Sequence, residues 1–380
     1  MVPIYPLYAV LFADSGLSGE QISLLFLIWS VVGIAAEVPS GALADRFSRR
    51  WCLSAAGIFQ AGAYVVWLLR PEFAGFAIGF VVWGLGGALI SGAFEALVYD
   101  GLAEVGAQSE FTRVNGWVAA VELVSELPTA VAATLLFSAG GYQLVGWVSV
   151  GTCLAAAVLA TWYPQPRRHA DEEDSDLGYF ATLRAGVIEA AAHPGVRAAV
   201  LAAALIGGLD ALEEYFPLLA RDWGVSSGWV PPALVGVSAA GAVGAAVAGT
   251  LGRRPPRTIA IVLGAGAVAL AVAVLPHSPA GLLGVAVFTC VHQAVLVVSE
   301  ARLQERIEGP ARATVTSLAQ VGIEVTALAL YAAWTVGGLV AVAVATMLLA
   351  IALPGWWRVP VRSRDDSRQG DRSAAGRPGM

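Results

Sequence analysis

Carboxylates set in long apolar runs can bind and release protons or hold a cation, and this chain has several. Glu122, Glu126, Asp210, Glu213, Glu214 and Glu324 stand among Val, Leu, Ala and Gly, with Glu37 and Glu95 nearer to charged segments. A charged side chain at mid-bilayer costs ~2.5–3.5 kcal/mol or more, so such groups face a cavity or a partner. Glu122 and Glu126 lie one helical turn apart on one face, where two like charges compete and one should hold a proton near neutral pH. Asp210 and Glu214 have the same spacing and are expected to share a face. His292, beside Gln293, sits mid-run, and imidazole is the group best placed to relay a proton near neutral pH. No arginine stands at this depth to neutralise the set. The alternative for each group is a protonated acid hydrogen-bonded between helices. Unpaired carboxylates in one cavity point to proton coupling or a cationic solute, and one acid can serve both by exchanging its proton for the cargo.

Other chemistries lose their residues. All 22 basic residues are arginine, which removes the P-loop lysine and every Schiff-base mechanism. Cys52, Cys153 and Cys290 fall in apolar stretches without a paired-cysteine spacing and read as small core residues. The four histidines form no zinc-hydrolase pair. No nucleophile–base, metal or phosphate constellation is present, so neither enzyme activity nor a cofactor is expected.

The elements that carry the acids must be membrane helices. Hydrophobic residues make up 57% of the 380-residue chain and charged residues 13%, about half the ~25% charged share of soluble domains. A span needs ~20 mostly apolar residues. The runs are Met1–Phe12, Gln21–Leu43, Trp51–Leu69, Ala74–Val98, Asn115–Phe137 and Tyr142–Tyr163, then Val196–Leu219, Trp229–Leu251, Thr258–Leu275, Ala280–Ala301, Ala313–Trp334 and Gly337–Trp356. Between the sets lies a polar linker with an amphipathic helix at Leu177–Ala192, and a polar, arginine-rich tail follows the last span. The expected organisation is therefore two six-helix bundles, 1–163 and 195–357, joined by a cytosolic linker at 164–194, with a disordered cytosolic tail at 358–380. Glu126 and Glu324 fall about eleven residues into their spans, ~16 Å from one end and near the midplane.

If Asp45–Arg50 is placed in the cytosol, cytosolic segments hold 20 of the arginines and the opposite loops only Arg70 and Arg221. That bias satisfies the positive-inside rule with both termini inside the cytoplasmic membrane. The halves also repeat. Asp14-Ser-Gly16 and Asp222-Trp-Gly224 stand 208 positions apart, as do Gly41 and Gly249; Asp100 and Glu300 are 200 apart, Arg113 and Arg312 199, and Glu126 and Glu324 198. Same-direction repeats imply a pseudo-two-fold axis along the membrane normal. By that repeat the first run is about a dozen residues short, and a first span lacking its inner half is expected.

Gly41-Ala-Leu-Ala-Asp45-Arg46-Phe-Ser-Arg49-Arg50 joins the second and third spans. This segment resembles the signature loop of the major facilitator superfamily, Gly-x-x-x-Asp-Arg-x-Gly-Arg-Arg, and Gly249-Thr-Leu-Gly-Arg253-Arg254 is a weaker echo. The resemblance implies an all-α membrane fold of twelve spans and transport by alternating access. It further implies a conformational lock in which Asp45 rests on the N-terminus of the eleventh span and Arg49 pairs with Asp100, with Gly41 allowing close approach and Arg46 and Arg50 completing the charge set. Ser48 stands where the family has its second glycine, and Glu126-Leu-Pro128-Thr replaces the glycine-proline pattern of drug–proton antiporters. In that family's architecture Glu95, Glu122, Glu126, Asp210, Glu213, His292 and Glu324 fall on spans that line or flank the cavity.

The expected function is proton-coupled movement of a small organic solute by a monomer in the lipid bilayer, without nucleic acid. Export of amphipathic or cationic compounds is favoured. Uptake of a metabolite with protons, or a non-transporting sensor of the same fold, are the alternatives.

Overall fold

The computed structural model describes residues 2–46, 48–107, 110–163, 194–306 and 312–357. The linker helix and the tail expected from the sequence lie outside the described residues.

The chain is helical throughout that range. A 3-10 turn at Tyr5–Leu7 leads into α1 (Tyr8–Asp14), followed by α2 (Gly19–Arg46), α3 (Arg49–Leu69), α4 (Phe73–Glu104) and α5 (Phe111–Ala160). The second half contains α6 (Pro194–Gly207), a 3-10 segment at Gly208–Tyr215, α7 (Phe216–Asp222), α8 (Val230–Gly252), α9 (Pro256–Ala273), α10 (Gly281–Arg306) and α11 (Arg312–Trp357). Among the described residues nine helical stretches are long and apolar enough to cross a membrane. Two of these, α5 and α11, are each long enough for two crossings. Gly141 (φ 58°) breaks α5 and Gly338 (φ 53°) breaks α11, in a left-handed region that glycine enters without a Cβ penalty. The breaks fall between the fifth and sixth sequence runs, where Gly140 and Gly141 both leave helical geometry, and between the eleventh and twelfth, at Gly338.

The duplication is visible in the backbone. Gly16 has φ 91° and its counterpart Gly224 φ 90°, so both turns use the same glycine-dependent geometry 208 positions apart. The seventh sequence run was expected as one α-helix, and the structure corrects this. The α geometry stops at Gly207 and resumes at Phe216, with the acids on the 3-10 stretch between them. Close packing accompanies the change. A Cβ on Gly208 would stand 2.3 Å from the Thr326 Cβ of α11, and one on Gly207 2.7 Å from Ile323. Two glycines let α6 press against α11 at the depth where the helix changes pitch.

Large apolar side chains such as Val124, Leu135, Ile261 and Leu348 face outward and exposed, as a lipid-facing surface requires. Inside the first half, α1 is pinned by aromatic edges: Tyr8 and Phe12 meet Trp67 of α3 and Phe80 of α4 at centroid distances of 5.1–6.0 Å. The Ile4 amide donates to Ser149 Oγ on the second arm of α5 at 3.0 Å. This short first element is therefore firmly held, and its free end lies beside the polar cluster described next.

Candidate functional site

The 3-10 segment sets the direction of its acids. Side chains three residues apart eclipse in a 3-10 helix, so Asp210 pairs with Glu213 on one face while Glu214 turns a third of a revolution away. The expectation that Asp210 and Glu214 share a face is therefore wrong; it assumed α pitch. Asp210 points to α10, where Gln293 Nε2 donates to its Oδ1 at 2.9 Å and His292 Nδ1 lies 3.4 Å from the same oxygen. Glu214 points to the first bundle and accepts a hydrogen bond from the Tyr8 hydroxyl. Glu213 stands within electrostatic reach of both Asp210 and Glu126 of α5, which links the two bundles across the space between them.

His292 is 2% exposed and stacked on Phe288 at 5.6 Å. Its Nε2 lies 2.8 Å from the Ile206 carbonyl oxygen. A carbonyl only accepts, so Nε2 carries the hydrogen and the tautomer is fixed by geometry. Nδ1 then faces Asp210 with a lone pair when the ring is neutral. At 3.4 Å the two groups form an ion pair when the ring is protonated.

On α5, Glu122 is exposed and Glu126 half-buried. At ~100° per residue they lie on the helix face opposite the exposed Val124–Leu127–Val131–Leu135 stripe. Glu324 on α11 shares a helix face with Gln320 and Tyr331, is exposed, and acts electrostatically on Tyr331. Tyr331 in turn is within reach of Glu214. Asp210, Glu213, Glu126, Glu214 and Glu324 thus form one linked set, with Glu122 one turn from Glu126. Gly41, Asp45, Arg46 and Glu37 belong to α2 and Glu95 to α4; their side chains lie outside the described residues. Arg49 is ion-paired with Asp100, and the Arg50 guanidinium sits 5.6 Å over the Trp51 ring. Ser48 is extended (φ −66°) as the residue before α3, a conformation open to any residue, so the loss of glycine there does not strain the turn.

Sequence reasoning missed the roof over this set. The Tyr215 hydroxyl donates to Ser23 Oγ at 2.8 Å, its ring stacks on Trp334 at 3.9 Å, and Phe26 meets both Tyr215 and Tyr331. Above the roof, Asp14 accepts from Arg221 Nε at 2.7 Å, Tyr142 Oη at 2.6 Å and Ser227 Oγ at 3.4 Å. Asp14 and Arg221 were visible as the ends of the first and seventh runs, but only as markers of the repeat. These contacts join the two bundles at the Asp14 end of the molecule.

A family model described as Major Facilitator Superfamily matches residues 2–328. The chain belongs to the Major Facilitator Superfamily. This superfamily member is similar in fold to a D-xylose–proton symporter (TM-score 0.70, 15% identity, covering 94% of this chain and 92% of that one). It is also similar to a nucleoside transporter (TM-score 0.68, 12% identity, 94% and 96%). A bacterial homologue of the iron transporter ferroportin in an inward-facing state matches as well (TM-score 0.63, 17% identity, 93% and 93%). A Na(+), Li(+), K(+)/H(+) antiporter from Planococcus maritimus is 30% identical over 111 residues, 27% of this chain, and the match spans only 25% of the antiporter's own length.

Proposed function

We propose that this superfamily transporter is a secondary active, proton-coupled carrier that works by alternating access. In this reading the arginine-rich end faces the cytosol, as the positive-inside rule requires. The conformation described, joined at the Asp14 end, is then the inward-facing one. The carrying observation is that buried His292 stands 3.4 Å from Asp210, an imidazole and a carboxyl placed to hold and pass a proton. Glu213 and Glu126 lie next along the same interior, so a solute entering there meets carboxylates and a proton site together. A protonatable, acid-lined interior suits an amphipathic or cationic solute, and exchange of proton for cargo makes export the favoured direction. The proton symporter and the cation/proton antiporter among the similar proteins support coupling to protons.

Proteoliposomes loaded with fluorescent cationic or neutral solutes, under an imposed pH gradient, test this reading. Gradient-driven flux is expected in the native chain, with loss of gradient dependence in D210N and H292Q. Flux that ignores the gradient in the native chain overturns the coupling claim, and direction-resolved flux separates export from uptake.

A further inference from the structure

A groove of about 400 Å³ opens in the second bundle between α8, α9 and α10. Its volume falls in the ~300–1,000 Å³ range of small-molecule sites. The lining divides by depth. Thr250, Arg254 and Thr258 stand at the arginine end, around the α8–α9 turn, while Val247, Val262 and Cys290 lie deeper. Val247 lies five residues before the end of α8 at Gly252, so the apolar part extends ~8 Å along that helix towards the midplane. At its floor α8 and α10 touch backbone to backbone: a Cβ on Gly244 would stand 1.9 Å from the Cys290 carbonyl oxygen. On α10, Cys290 is two residues from buried His292 and so on the far side of that helix from it.

The mouth is cationic and rigid. Arg253-Arg254-Pro255-Pro256-Arg257 forms the turn, and the prolines fix its backbone. The Arg302 guanidinium braces it by donating to the Gly252 and Arg254 carbonyls at 3.4 and 3.5 Å, and stacks 4.1 Å from the Trp357 ring. No carboxylate among the described residues pairs with Arg253, Arg254 or Arg257, and all three are exposed. Tryptophan rings at this level are what a membrane–water interface favours.

We infer that this groove binds an anionic phospholipid, its phosphate against Arg254 beside Thr250 and Thr258, one acyl chain along Val247, Val262 and Cys290. The shape decides the occupant: a free phosphate has no use for the apolar channel, and a zwitterionic lipid leaves three guanidiniums without net countercharge. Basic sites at helix ends are worth about 1 kcal/mol of attraction to anionic headgroups per arginine.

The test uses the full chain with Cys52 and Cys153 replaced by alanine, in phosphatidylcholine nanodiscs with and without phosphatidylglycerol. Maleimide labelling of Cys290 reads groove occupancy. Phosphatidylglycerol is expected to slow labelling, and R254Q to reverse that protection by about fivefold, the equivalent of one arginine's attraction. Equal labelling in both disc types, protection by inorganic phosphate alone, or protection that survives R254Q together with R257Q overturns the inference. Native mass spectrometry of the unmodified chain supplies a measure free of the cysteine variants. Retention of phosphatidylglycerol over phosphatidylcholine is expected, and equal retention refutes the anionic preference.

Discussion

Asp14 and Arg221, 207 positions apart, form a 2.7 Å ion pair that ties the end of α1 to the end of α7. Each belongs to one half of the internal repeat, so the bond spans the junction that the proposed alternating-access cycle would open. Both side chains are about one-third exposed, and a pair of that exposure contributes ~0.2–1 kcal/mol; the Tyr142 hydroxyl adds a second donor to the same carboxylate.

Removing this pair with R221Q should shift the conformational balance towards opening at the Asp14 end, by up to about fivefold for ~1 kcal/mol. Spin-label distances between the Asp14 end of α3 and the α8–α7 turn would report the change. The double variant D14R/R221D should restore the native distribution, and an unchanged distribution in R221Q would show that the pair carries no share of closure.

Tyr8→Phe removes the donor to Glu214 while leaving the aromatic packing of Tyr8 with Phe12 and Trp67. A half-buried carboxyl stripped of its donor costs ~1–3 kcal/mol. The closed form should lose that amount relative to the open one, which the same spin-label distances would register. Thermal unfolding should change less, because the ring still fills its site.

Gly208→Ala places a methyl group within contact-forbidden range of Thr326. Overpacking of this kind costs ~1–3 kcal/mol, and the melting temperature in detergent should fall. Gly87→Ala, where a Cβ meets nothing within 4 Å, should leave it unchanged or raise it, since alanine favours helix over glycine by ~0.5–1 kcal/mol.

Glu126→Gln and Glu324→Gln should each reduce flux driven by a pH gradient, within the ~5–150-fold range of coupling energies of 1–3 kcal/mol. Solute exchange at equal pH on both sides should fall less. Unchanged gradient-driven flux in both variants would remove these two acids from the coupling scheme.

Much of this was legible in residue types alone. Apolar runs of spanning length fix the membrane class, because unsatisfied backbone in lipid leaves only helices for such segments. The arginine bias, the repeat at a nearly constant offset and the Gly41–Arg50 loop followed from composition and spacing, and the matched glycine turns at Gly16 and Gly224 show that repeat in the backbone. The acids themselves were also visible, since a carboxylate in an apolar run stands out whatever its neighbours.

Their partners were not visible. The sequence Gly207-Gly208-Leu-Asp210-Ala-Leu-Glu213-Glu214 fits an α-helix or a 3-10 helix equally well, and the choice rests on contact with Ile323 and Thr326 more than a hundred residues away. Once that contact sets the pitch, Asp210 turns to His292 and Glu214 to Tyr8. The His292 tautomer, the Tyr215 roof and the Asp14–Arg221 bond follow from which helices meet. Sequence thus determined which charged residues stand within apolar runs, because that is local to each segment; tertiary structure decided which of them meet, because that depends on distances between helices.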